Sequence, residues 1–194
     1  MRIRPYRPPD SPALYDICLR TGDPTGGDGT DRYADPRLLG DVYVGPYLAL
    51  APELAFVLDA GGGTPVGYVL GALDTLAFAA RCEQEWWPPL RRRYPDPAAH
   101  PAPDRDVATL IHEPPLPPPA VTDRYPSHLH IDLLPVAQGH GHGRALLEHL
   151  LAALAAAGSP GVHLGVSPEN HNANAFYRRL GFAEVAPSTL ARAL

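Results

Sequence analysis

Apolar and polar positions alternate most regularly over His128–Leu133, where Leu129, Ile131 and Leu133 interleave with His128, His130 and Asp132. Period two marks a strand with one apolar face, and Pro135, which has no N–H to donate, ends it. The spacing then becomes helical. Leu146, Leu147, Leu150, Leu151 and Leu154 line one buried face. Upstream, Met1–Arg4 predicts a first strand. A helix begins at Ser11-Pro12, a hydroxyl cap followed by proline, with Leu14, Ile17 and Cys18 inward and Gly22 at its end. A second helix is predicted from about Pro36 to Tyr47. Leu54–Asp59 and Pro65–Leu73, joined by Gly61-Gly62-Gly63, predict an antiparallel hairpin. Near the C-terminus, Val162–Val166 reads as another strand, followed by a helix that Asn170 or Asn172 can cap. Ala173, Phe176 and Leu180 share its apolar face, Tyr177 is displaced toward the edge, and Gly181 suits the left-handed position after its end.

The stretch Asp74–Pro126 does not follow this rhythm. It starts as a helix with Leu76, Phe78, Cys82 and Trp86 as candidates for its packed side, then passes through Trp86–Pro95 into a proline-rich run. Pro114–Pro119 should be extended, because proline fixes φ and opposes helix. Connections of this length are disordered or functional, and the aromatics argue for order. Trp86, Trp87 and Tyr94 either form a stacking wall or fill the insertion's own core.

A chain of 194 residues with 45% apolar content suits one domain spanning 1–194. A net charge of −5 argues against a nucleic-acid surface. Two cysteines without pairing or metal spacing suit a reducing compartment. The first residues carry no apolar secretory run and no segment reaches membrane-spanning length, so a cytoplasmic location is expected.

The chemistry converges on the turn between the best strand and the best helix, Gln138-Gly139-His140-Gly141-His142-Gly143-Arg144. Its glycines allow positive φ and close approach of a ligand. The following helix presents free N–H groups and the positive end of its dipole. A strand feeding such a turn is suited to phosphate or pyrophosphate. A Walker-type loop is excluded, since all 16 basic residues are arginine. The pattern Gln138-x-x-Gly141-x-Gly143 resembles the acetyl-CoA signature of the GNAT superfamily of N-acetyltransferases. Asn170-x-x-Ala173-x-x-Phe176-Tyr177-x-x-x-Gly181-Phe182 resembles a second segment of that superfamily. The insertion and Tyr125–Asp132 are similar to bacterial acetyltransferases related to the C-terminal acetyltransferase-like domain of O-GlcNAcase.

The resemblance implies an α/β (α+β) GNAT fold: a mixed sheet splayed between strands 4 and 5, helices on both faces, and the insertion between strands 3 and 4. It implies acetyl-CoA as acetyl donor. Backbone groups near Leu133, Leu134 and Val136 would meet its pantetheine arm. Gln138, Gly139, His140, Gly141, His142, Gly143 and Arg144 would surround its pyrophosphate, and Asn170 and Asn174 would make polar contacts. Tyr177 stands where the family carries its general acid, the alternative being a packed core tyrosine. Asp132 and His130 are candidates for the base, or else a hydrogen-bonded pair stabilising the strand. His128, His130 and Asp132 also share a ligand-like i, i+2, i+4 spacing, but without cysteines nearby or a clear fourth ligand no metal is expected. Asp23, Asp28 and Asp31, in the loop bordering the acceptor side, either attract a cationic amine or form a solvated turn. The acceptor would be a small-molecule or peptide amine, on a monomer or homodimer. The rival reading is a catalytically inactive pseudo-acetyltransferase that binds a ligand or protein.

Overall fold

In a computed structural model describing residues 1–194, the chain runs β1 (Arg2–Pro5), α1 (Ser11–Arg20), α2 (Leu38–Tyr43), α3 (Gly45–Leu50), β2 (Ala55–Asp59) and β3 (Pro65–Ala72). The insertion supplies α4 (Thr75–Arg81), α5 (Trp87–Arg93), α6 (Ala102–His112) and the short α7 (Pro119–Thr122). Then come β4 (Ser127–Leu133), α8 (His142–Ala156), β5 (Gly161–Gly165), α9 (His171–Arg179), β6 (Ala183–Ala186) and β7 (Thr189–Ala193). The seven strands form one sheet in the order β1-β2-β3-β4-β5-β7-β6. Only the β4–β5 pair is parallel; the others are antiparallel.

Helices cover both faces. A side chain at Gly71 would strike Leu150 of α8, whereas Tyr68, three residues away on the same strand and so on the opposite face, turns toward α1. The α8 leucines that carry the helical period are all buried. The hairpin forms as predicted, with Gly61, Gly62 and Gly63 all at positive φ.

Four expectations change. The helix over Pro36–Tyr47 is two helices, broken at Val44 before Gly45-Pro46, because Pro46 cannot donate within a continuous ladder. Ser11 is not the cap of α1. The cap residue is Asp10, and Ser11 Oγ donates to Pro8 O while pairing with Tyr6 Oη. Leu76 is exposed rather than packed. Finally, the insertion holds a helix, α6, that its prolines concealed: Pro101 and Pro103 sit at its start, where a missing N–H costs nothing.

The insertion is fastened to α2 and the loop before it. Asp104, 1% exposed, accepts from the amides of Ala34 and Asp35, both at 2.9 Å. Tyr94 Oη donates to Asp35 and Trp86 Nε1 to the Asp41 carbonyl. Trp87 and Tyr94 are buried, so they serve as the insertion's core. Asp104→Ala should orphan two amides and cost about 1–3 kcal/mol, read as a lowered denaturant midpoint.

Candidate active site

The cleft starts where two strands part. β4 and β5 pair only at Ser127↔Val162 and His128↔His163. The Leu134 N–H bonds Val66 O at 2.9 Å, which sets the phase of the β3–β4 ladder. Asp132 and His130 therefore share main-chain bonds with β3, and the main-chain groups of Ile131 and Leu133 point the other way, toward the gap. Gln138 Nε2 reaches back to the Leu133 carbonyl at 2.8 Å. The resulting cavity, about 630 Å³, is lined by Ile131, Asp132 and Leu133 from β4 and by Gln138, Gly139, Gly141, Gly143 and Arg144 from the turn. Asn170 and Tyr177 border it from the α9 side.

The turn is a fan of unused donors. Gly139 and Gly141 take φ of +77° and +80°, and a side chain added at either would meet nothing. The amides of Gly139, His140, Gly141, His142, Gly143 and Arg144 make no hydrogen bond within the protein, and the first neighbour that does is Ala145, to Gly141 O. They open the fifteen-residue α8, whose dipole adds positive potential. Arg144 lines the cavity but also pairs with Glu148 at 2.7 Å. Arg179, which the sequence motifs do not mark, is a second exposed cation lining the cavity.

Other candidates lie elsewhere. Leu134, whose amide is committed to Val66, and the exposed Val136 are outside the lining, as are His140 and His142. Asn170 caps α9 by accepting from Ala173 N at 3.0 Å. Asn174 is outside the lining, and its amide donates to the carbonyls of Ser167 and Asn170. Asp23 and Asp28 accept from Thr25 and Thr30 in local turns, so the loop meets the cleft through Thr21 and Gly26. No insertion residue lines the cleft.

Around Asp132 the structure gathers residues that are distant in sequence. Tyr68 Oη donates to Asp132 Oδ2 at 2.5 Å. His130 Nε2 lies 2.9 Å from the same oxygen, within ion-pair range but off the line that a ring N–H needs, and this buried nitrogen has no other partner. The His130 ring stacks on Tyr43 with centroids 5.6 Å apart. Cys18 Sγ of α1 lies within 4.8 Å of the His130 and Asp132 donor atoms. Tyr177 is 8% exposed, wedged edge-on between Phe176 and Phe182. Burial first, then the charge of Asp132, pushes its phenol well above the usual tyrosine range, so it stays protonated.

His128 leaves the cluster. Its Nδ1 pairs with Thr75 Oγ1 at 2.8 Å, and Tyr47 and Phe78 enclose the ring. Burial lowers its pKa to about 3. The unfolded chain therefore takes up a proton near pH 6.5 that the folded one refuses. Stability present above that pH should fall as pH drops from 6.5 toward 3, by at most about 1.4 kcal/mol per unit for this group. His128→Gln should flatten that slope in pH-resolved denaturant melts.

A profile described as Acetyltransferase (GNAT) family matches residues 29–182. The crystal structure of SsHAT superposes with a TM-score of 0.93 at 47% identity, covering 99% of this chain and 97% of that one. Protein O-GlcNAcase of Rattus norvegicus is 29% identical over 191 residues, 95% of this chain. The chain spans about 20% of the length of such curated relatives. A GNAT family acetyltransferase from Brucella melitensis, solved in complex with acetyl-CoA, shares the fold at a TM-score of 0.52 and 18% identity over 100% of this chain and 87% of that one. The chain belongs to the GNAT acetyltransferase family, and its sheet, splayed between β4 and β5 with helices on both faces, is that family's fold. It is an acyltransferase by family, and none of its helices is long and apolar enough to cross a membrane.

Proposed function

We propose that the protein is an acetyl-CoA-dependent N-acetyltransferase that acetylates a primary amine, of a small molecule or a peptide, by direct attack. The observation that carries this reading is the row of unbonded amides from Gly139 to Arg144 at the N-terminus of α8. A diphosphate fits it: hydrogen bonds to charged groups contribute roughly 1.5–3 kcal/mol each, and Arg144 and Arg179 both line the same cavity. The Brucella melitensis neighbour, solved with acetyl-CoA, supports the choice of cofactor. Acetyl-CoA supplies an activated acyl thioester.

The chain's own groups would do the rest. The main chain of Ile131 and Leu133, freed from strand pairing, would orient the pantetheine arm, with Gln138 holding the Leu133 carbonyl in place. Asp132, steadied by Tyr68, and His130 beside it would take the proton that an ammonium must lose before it attacks. Tyr177, kept protonated by burial, would give its proton to the departing thiolate. No acyl-enzyme is needed, since Cys18 and Cys82 lie outside the cleft lining. One buried apolar cluster of 39 residues draws on β1-to-β3 helices, insertion and C-terminal strands alike, which favours a single domain over 1–194.

The test is an amine panel with thiol release as readout. Release that depends on amine and protein together is expected. Tight acetyl-CoA binding with no amine-dependent release across the panel would instead mark a binding module.

A further inference from the structure

We infer that the group behind the cleft wall at Asp132 is a binding site for one zinc-class divalent ion, held by Cys18 Sγ, His130 Nε2 and an oxygen of Asp132. These donor atoms all lie within 4.8 Å of one another. Zinc takes sulfur at about 2.3 Å and nitrogen or oxygen at about 2.0–2.2 Å, so donors around one ion stand roughly 3–4 Å apart. Loading the ion therefore requires these side chains to draw together around it. The second observation is His130 Nε2 itself: a buried ring nitrogen with no hydrogen-bond partner, set 2.9 Å from the Asp132 carboxylate. A buried polar atom left unpaired is costly, and a metal bond would satisfy it.

The donor set selects the ion. A thiolate, an imidazole and a carboxylate suit zinc and its neighbours rather than magnesium or calcium. The strand-face spacing of His128, His130 and Asp132 pointed elsewhere, because fold contacts decide the set: Thr75 removes His128, and α1 brings Cys18 to the same place. Tyr68 Oη, on Asp132 Oδ2, becomes the outer-shell partner that orients the ligating carboxylate. Of the three donors only Asp132 lines the cavity, so that side is where an ion would enter and where a water would take the fourth position. Binding releases the Cys18 proton, so affinity rises with pH.

This site overlaps the proposed base and rests on that reading only for its effect on turnover: an ion there engages Asp132 and His130 and stops proton uptake from the amine. Cobalt(II) serves as the spectroscopic probe and zinc as the inhibitor. With the full chain, one equivalent of cobalt should give a thiolate charge-transfer band that persists in Cys82→Ser. In Cys18→Ser the band should vanish and zinc affinity should fall by at least about 100-fold. X-ray absorption of the zinc-loaded unmodified chain needs no variant and should show one sulfur neighbour at about 2.3 Å. A shell of nitrogen and oxygen only, or a band that survives Cys18→Ser, overturns the site. A band with unimpaired acetyl transfer keeps the site and removes Asp132 and His130 as the base.

Discussion

Tyr177→Phe should lower kcat by about 10²–10⁴-fold, the usual span for a positioned general acid, with acetyl-CoA affinity little changed. The ring sits between Phe176 and Phe182, so phenylalanine preserves its packing and deletes only the hydroxyl. That hydroxyl has no hydrogen-bond partner within the protein, so its loss orphans no neighbour. The wild-type phenol, raised by burial and by Asp132, should stay protonated throughout the neutral range. An alkaline fall in kcat below about pH 10 therefore belongs to some other group and should persist in Tyr177→Phe. Unchanged turnover in this variant would strip Tyr177 of its role.

Gly141→Val should weaken acetyl-CoA binding by about 10–100-fold, or roughly 1.4–2.8 kcal/mol. Gly141 holds φ at +80° with open space where a side chain would go. Valine meets no clash there but strongly disfavours the left-handed backbone. The turn must relax, and its amides lose their common aim. Gly158, at φ +87° and also facing open space, is the matched control at the far end of α8. Gly158→Val should show comparable destabilisation in thermal melts and normal cofactor binding. Equal binding loss in both would reduce the Gly141 effect to general instability.

The parts legible in the sequence were those written by neighbouring residues. The α8 leucines, the hairpin glycines and Gly181 at φ +84° behaved as local spacing required. The glycine-rich turn was legible because a glycine's freedom and a helix's free amides are both local properties. Contacts across the fold were not. Tyr68 and Asp132 are 64 positions apart, and nothing near either residue signals the partner. Cys18 read as a core thiol because α1 shows only its own apolar face. Tyr177 was placed at a helix edge, yet Phe182, beyond the helix end, folds back to enclose it. Proline obscured α6 because the same residue that breaks a helix interior is tolerated in a first turn.

Calorimetry comparing coenzyme A with pantetheine, the same arm without its diphosphate and nucleotide, tests the amide fan most directly. If the amides from Gly139 to Arg144 carry the cofactor, coenzyme A should bind at least about 100-fold more tightly, the yield of two charge-assisted hydrogen bonds. The Gly141→Val variant should erase most of that gap. Equal affinities for the two ligands would contradict the account.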